Sequence, residues 1–348
     1  MRHFSRLNAL MLILLVGGNH AAIADEASQQ ETPAKLKLND DFSFSGYANV
    51  AFNAPSGDKA TLSIDDLSLF ASGHINQTLN PFVEAELAGV TLIQQGGDPL
   101  SAGYPHIVLE RLYNDSYLTN KLSLRVGKML SPVGEWNLIH AAPLVWTSSR
   151  PMVTYHGFSE YTSGASLIYA GTRGKLPDMQ FYVQPGGEIR PRTLDLVVRE
   201  YEHVSGLHLN WPSGLNDKLG LSIQHAQIVG TDEKQTLTGF NITKELGPLE
   251  LETETIHTHI SGSNPLRVRD NEWGSYLQGS YALNEFCNLN VRFEHFSARA
   301  YSRTSENAVL GVAYKSAPST LWKLEYVNQY GQLLDIQTGL YASFAKLF

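Results

Sequence analysis

The sequence predicts an all-β protein, a transmembrane antiparallel β-barrel of about sixteen strands. Three observations predict it. The last nine residues alternate between apolar and other side chains, the first 24 residues have the pattern of an export signal, and the connections between strand-like segments are alternately short and long. Together they indicate a chain that crosses a membrane with strands.

The N-terminal segment predicts export. Arg2 and Arg6 precede the apolar run Leu10 to Val16, and Ala22-Ile-Ala24 provides the small residues of a cleavage site. We therefore expect a signal peptide at residues 1–24, cleaved after Ala24, then a flexible periplasmic lead-in at 25–40 and a barrel domain at 41–348. No later run of 18 apolar residues predicts a membrane-spanning helix.

Composition restricts the remaining classes. The net charge is −8 over 348 residues, which argues against a nucleic-acid partner. One cysteine, Cys287, cannot form an intramolecular disulfide. The mean hydropathy of −0.18 suits a barrel, because only alternate residues of each strand face lipid.

Segments with alternating polarity recur to the end of the chain and predict the strands. Their centres lie near residues 47, 68, 84, 111, 125, 167, 181, 207, 222, 238, 252, 278, 291, 311, 324 and 341. Helical periodicity is suggested only near Trp136 to His140. Every second connection is short, whereas those at 88–106, 129–163, 185–203, 258–272 and 297–306 are predicted to be long.

The charged side chains share one face of these strands. Glu250, Glu252 and Glu254 oppose Leu249 and Leu251, for example. A Lys or Arg at the lipid-facing midplane costs about 2–4 kcal/mol, so we expect the charged face to point inward. A soluble sheet with a solvated face is the alternative, and the export signal and connection pattern favour the barrel. The predicted lumen-lining residues are Glu84, Glu86, Arg125, Glu250, Glu252, Glu254, Arg292, Glu294, Lys323 and Glu325.

The final segment carries a first resemblance. Leu340, Ala342, Phe344 and Phe348 lie in one register, with Lys346 as the exception. This pattern resembles the closing strand of bacterial outer-membrane barrels. The resemblance implies recognition of Phe348 by the barrel-assembly machinery and contact with outer-membrane lipid and lipopolysaccharide.

The longest connection carries a second resemblance. Val126-Gly-Lys-x-x-x-Pro132-x-Gly134 resembles the stretch that follows a strand in phosphate-selective (O/P-type) porins. It overlaps the connection at 129–163, about 35 residues without an obvious strand. Sixteen-stranded porins fold this connection, after strand five, back into the barrel. The resemblance implies a water-filled diffusion channel that is commonly trimeric. The candidate pore-facing residues of this loop are Glu135, His140, Trp146, Arg150 and His156; for each, a contact that anchors the loop to the wall is the alternative.

The lumen charge departs from that porin group. Phosphate-selective members use clusters of Arg and Lys, whereas the lumen predicted here is mixed and mainly acidic. We therefore expect a mild preference for cations, with opposing guanidinium groups that set a transverse field.

Two other functions compete with the channel. A closed barrel could act as a structural or partner-binding scaffold. A lipid hydrolase could use Ser148 or Ser149 with His140 or His156, although the chain has no Gly-x-Ser-x-Gly elbow. His257 and His259 lie on one strand face without an evident further ligand. We predict no catalytic residues, no metal site and no cofactor.

Overall fold

Sixteen antiparallel strands form one closed barrel. The computed structural model describes residues 36–37, 41–139, 141–172, 175–189, 199–213 and 216–348. Each barrel strand pairs with the next along the chain, and the last pairs with the first. A two-residue strand, β1 (Leu36–Lys37), pairs with β2 beside the barrel. The barrel strands are β2 (Phe42–Pro55), β3 (Thr61–Gly73), β4 (Asn80–Gln94), β5 (Gly103–Tyr117), β6 (Leu122–Leu130), β7 (Tyr161–Tyr169), β8 (Asp178–Gln184), β9 (Tyr201–Pro212), β10 (Lys218–Ile228), β11 (Lys234–Leu246), β12 (Leu249–Ser261), β13 (Asn271–Ala282), β14 (Cys287–Ser297), β15 (Ser305–Ala317), β16 (Thr320–Gly331) and β17 (Gly339–Leu347).

The predicted barrel is confirmed, and each predicted strand centre lies within an observed strand. The predicted signal peptide (1–24) lies outside the described residues, as does the lead-in (25–40) apart from β1.

Alternation separates the two faces of the wall. On β16, Trp322, Leu324 and Tyr326 are about half exposed on the outside, whereas Lys323 and Glu325 are buried on the inside. Because side chains alternate along a strand, the outer surface is apolar and the inner surface is largely polar.

The connections also alternate, which gives the barrel a short-turn end and a long-loop end. Among the described residues, the long-loop end carries 95–102, 131–139, 141–160, 185–189, 199–200 and 262–270. The predicted long loop at 88–106 is wrong in its bounds, because β4 extends to Gln94 and β5 begins at Gly103. Register shifts next to Ala85 and Val90 move side chains between faces and hide the alternation in the sequence.

The connection between β6 and β7, residues 131–160, folds into the barrel and is called the inner loop. It contains a short helix, α1 (Trp136–Ile139), and two 3-10 turns, Ala142–Leu144 and Met152–Thr154. This confirms the predicted inward fold after the fifth barrel strand and the helical tendency near Trp136. Its apolar side packs on the inner wall in a core formed by Val133, Trp136, Val145, Met152, Val153, Phe158, Leu237, Ile256, Tyr276, Phe296 and Ala298.

Within the described residues, no helix is both long enough and apolar enough to cross a membrane.

Candidate functional site

Carboxylates of the inner wall hold the backbone of the inner loop. Glu254 accepts hydrogen bonds from the backbone N–H groups of Glu135 and Trp136, at 3.0 and 2.7 Å. Glu325 accepts from Ser148 and Ser149, at 2.9 and 2.6 Å. Hydrogen bonds to a charged acceptor are stronger than neutral ones, so these contacts satisfy loop donors that would otherwise be buried without partners.

A third carboxylate and two wall cations complete this attachment. Glu294 accepts from the N–H of Met152 at 2.7 Å. Lys323 Nζ donates to the carbonyls of Ala142 and Thr147, both at 2.9 Å. Arg292 is fully buried, pairs with Glu294 at 2.9 Å and donates to Ser149 Oγ at 2.6 Å. Five of the residues predicted to line the lumen, Glu254, Arg292, Glu294, Lys323 and Glu325, therefore lie on the inner face and contact the inner loop.

The wall of β3 to β6 carries paired charges stacked on aromatic rings. Arg125 forms two hydrogen bonds with Asp115, at 2.7 and 2.8 Å, and lies 3.9 Å from the ring centre of Tyr113. Asp115 faces Arg125 directly across the strands, so the sequence could have revealed this pair once the register was known.

Glu84 and Glu86, both predicted to line the lumen, are also buried here. Glu84 pairs with Arg111, whose guanidinium lies over the ring of Phe82. Glu86 accepts a hydrogen bond from Ser68 at 3.2 Å. Sequence reasoning missed Arg111, because the register shift beside Glu84 changes which β5 residue faces inward.

Glu250 and Glu252 line a cavity of about 110 Å³ toward the short-turn end. Glu252 accepts from the Tyr276 hydroxyl, and Glu250 is bonded by the Trp146 side chain. Glu135 lies at the same cavity and pairs with Lys218. For Trp146, the structure therefore provides the anchoring contact that was the alternative to a pore-facing role.

Arg150 is bound mainly within the inner loop itself. It pairs with Glu160, donates to Asn137 Oδ1 at 2.9 Å and to the Thr154 carbonyl at 2.7 Å, and stacks against the rings of Trp136 and Tyr155. His140, the remaining candidate in this region, lies outside the described residues.

His156 joins the inner loop to the connection between β16 and β17, residues 332–338, called the mouth loop. His156 Nε2 lies 2.6 Å from Asp335 Oδ2, and the Tyr155 hydroxyl donates to the same oxygen at 2.8 Å. Burial and the adjacent Asp335 carboxylate raise the pKa of Tyr155, which keeps its hydroxyl protonated as a donor. Sequence reasoning missed Asp335, because its connection is short and carries no periodic signal.

The groups considered for hydrolysis do not form a nucleophile–base pair among the described contacts. Ser149 Oγ accepts from Arg292, and His156 is bonded to Asp335. His257 and His259 lie on the outer face of β12, beside Trp273 and Asn271. In the part of the chain that the structure describes, no three His, Cys, Asp or Glu residues are grouped to hold a metal ion.

Comparisons with known proteins bear on this architecture. No protein-family model matches the sequence, and no curated protein matches it. Among solved structures, OmpT of Vibrio cholerae is 12% identical with a TM-score of 0.62, covering 90% of this chain and 99% of OmpT. The anion-selective porin of Comamonas acidovorans is 14% identical with a TM-score of 0.59, covering 88% and 99%. OmpF of Salmonella typhi, in complex with daunomycin, is 10% identical with a TM-score of 0.63, covering 90% and 99%. At these identities the likeness establishes the fold: a closed antiparallel barrel of sixteen strands similar to those of outer-membrane porins and channels.

Proposed function

We propose that this protein is an outer-membrane porin, a passive diffusion channel for small hydrophilic solutes or ions with a mild preference for cations. One observation carries the proposal: the barrel has an apolar outside and a polar inside, and a loop bonded to the inner wall narrows its lumen. A scaffold needs no polar lumen, whereas a diffusion channel must present polar groups to water along its length.

The lumen charges support a mild rather than a strong preference. Glu294 is paired with Arg292, and Glu254 and Glu325 are buried and hydrogen-bonded to backbone N–H groups of the inner loop, so we propose that these three acids contribute less to selectivity than acids that face water. Glu250 and Glu252 lie at a cavity and remain our proposed lumen-lining acids, together with Arg125, which is paired with Asp115 across β5 and β6. The resemblance to the phosphate-selective (O/P-type) porin group remains a proposal, and we do not extend that group's anion preference to this chain.

Location and assembly follow from the same proposal. We propose export with cleavage after Ala24, contact of the apolar outer wall with outer-membrane lipid and lipopolysaccharide, and recognition of Phe348 by the barrel-assembly machinery. Phe348 lies exposed on the outer side of the closing strand. A homotrimer is also proposed; an in-vitro folded OmpT of Vibrio cholerae is described as a trimer form.

A closed scaffold barrel is the second candidate, favoured by the apolar core that the inner loop forms inside the barrel. The lipid-hydrolase alternative has less support, because Ser149 and His156 are engaged inside the barrel with Arg292 and Asp335. We propose that the protein is not an enzyme and uses no metal or cofactor.

The test is conductance of the refolded protein in a planar bilayer. Stable steps whose reversal potential in a salt gradient shows mild cation preference are expected. Glu250→Gln should reduce that preference, whereas Glu285→Gln, an exposed turn residue, is the matched control. A folded barrel without conductance would contradict the channel and favour the scaffold.

A further inference from the structure

The mouth loop (residues 332–338) enters the barrel instead of extending away from it. Leu334 packs against the core between the inner loop and the wall. Ile336 packs against Val309, Val327 and Tyr341, which are buried on the inner face of β15, β16 and β17. Two apolar anchors on one short loop therefore fix it inside the long-loop end.

Between these anchors, Asp335 attaches the mouth loop to the inner loop. Its Oδ2 atom is the partner of both His156 Nε2 and the Tyr155 hydroxyl, at 2.6 and 2.8 Å. His156 is itself held by ring contacts with Tyr155 and Phe296, at 4.6 and 5.1 Å between ring centres. The mouth loop is further tied to the wall by the Tyr341 hydroxyl, which donates to the carbonyl of Gln337 at 2.8 Å.

A cavity of about 320 Å³ lies between the two loops and the adjoining wall of β2 and β3. Its lining includes Asp335 and Gln337 of the mouth loop, Ser149 of the inner loop, and Asn53 and Asp65 of the wall. The cavity is therefore bounded by the mouth loop on one side, and a solute that enters from the long-loop end meets this loop together with the inner loop.

The charge of this cavity is negative on two sides. Asp335 is about one-third exposed, and Asp65 is exposed next to the register shift between β2 and β3. A bulge of this kind changes the direction of a side chain. The side chain here is that of Asp65, whose Oδ2 accepts a hydrogen bond from Asn49 Nδ2 at 3.0 Å. Arg150 also lines the cavity, but its guanidinium is paired with Glu160.

We infer that the mouth loop is a second constriction of the proposed channel, and that Asp335 both fixes it to the inner loop and favours small cations over anions there. This assignment deepens the proposed function and rests on it. Asp335 is then a specificity-determining residue, and the contact between two loops, rather than the inner loop alone, sets the width of the pore.

Three variants separate these roles in single-channel recordings. Asp335→Asn removes the charge but keeps an acceptor oxygen for Tyr155, so it should lower the cation-to-anion permeability ratio about twofold with little change in conductance. Asp335→Ala removes the attachment as well, so it should also raise conductance. Glu306→Gln is the matched control, because this carboxylate lies exposed on β15 near the long-loop end.

The outcomes separate this assignment from the channel itself. Suppose that the wild type conducts, that Asp335→Asn keeps the wild-type permeability ratio, and that Asp335→Ala keeps the wild-type conductance. This result would overturn the second constriction and leave the porin proposal intact. If the wild type does not conduct and only the Asp335→Ala variant does, the result would contradict an open porin and support the mouth loop as the element that closes the barrel. If wild type and all variants are folded but silent, both proposals fail.

Discussion

A carboxylate that accepts one N–H hydrogen bond on each oxygen cannot be replaced by its amide without the loss of one of those hydrogen bonds. Glu325 uses Oε1 for Ser149 and Oε2 for Ser148. Glutamine would place an NH₂ group against one of these donors, and an unsatisfied buried donor costs about 1–3 kcal/mol.

We therefore expect Glu325→Gln to loosen the inner loop. Amide hydrogen exchange at residues 145–150 should become faster, and single-channel current should become noisier. Glu285→Gln serves as control, since Glu285 is exposed in the turn between β13 and β14. Equal exchange rates in wild type and Glu325→Gln would refute the role assigned to this carboxylate.

Gly46 is required at the seam of the barrel. A Cβ atom there would collide with the carbonyl oxygen of Ser68 and lie 2.8 Å from the Phe348 ring. Gly46→Ala should destabilise the barrel by about 1–3 kcal/mol through overpacking. The measurement is the temperature at which the folded band unfolds on electrophoresis. Gly186→Ala, with open space around the glycine, should leave that temperature unchanged; equal shifts in both variants would argue against a seam effect.

Turns at the short-turn end contribute stability that depends on pH. The hydrogen bond from Lys244, assisted by the N–H of Glu245, lowers the pKa of Asp217. A carboxyl whose pKa is lower in the folded state stabilises the protein above its unfolded pKa, about 3.9, and this contribution disappears as pH falls through the folded value.

Asp217→Asn should therefore lower the urea midpoint of unfolding at pH 7, and the difference from wild type should vanish in strong acid. Asp98→Asn, in the exposed loop at 95–102, is the control. A difference that persists at the lowest pH would show that the effect is steric rather than ionic.

Strands were predictable as elements because each has a period of two and an apolar outer side. The prediction failed where the period is broken. At the register shifts of β3, β4 and β5, one extra residue reverses the faces, so Arg111 and Asp65 were not recognised as inner-wall groups. The inner loop was predicted to enter the barrel from a resemblance, whereas the mouth loop has no sequence signal of its own.

At the scale of the whole molecule, selectivity should depend on ionic strength. The screening length falls from about 10 Å at 0.1 M salt to about 3 Å at 1 M. If lumen carboxylates cause the proposed cation preference, the permeability ratio should approach one in 1 M KCl. Uptake of a neutral sugar into liposomes is the control and should not change with salt. A permeability ratio that is the same in 0.1 M and 1 M KCl would indicate that pore size, and not charge, determines the selectivity.

The side on which a charged residue lies was predictable where strands alternate without a register shift, but its partner was not. Alternation predicts that Glu254, Arg292 and Glu325 lie on the inner face, and all three side chains are buried. Whether an inward charge meets water or a loop depends on where residues 131–160 lie, and no local pattern encodes contacts between positions more than a hundred residues apart.

The seam between Gly46 and Phe348 has a kinetic consequence. All the remaining strand pairings of the barrel join neighbours in sequence and can form as hairpins. The reciprocal backbone hydrogen bonds between Gly46 and Phe348, both 2.9 Å, instead join residues roughly 300 positions apart. The seam thus closes the longest loop of the sheet, although its entropic cost grows only logarithmically with loop length. Until that contact forms, β2 and β17 are two open edges able to accept foreign strands, so the rate of their union determines how long the folding chain is prone to aggregation.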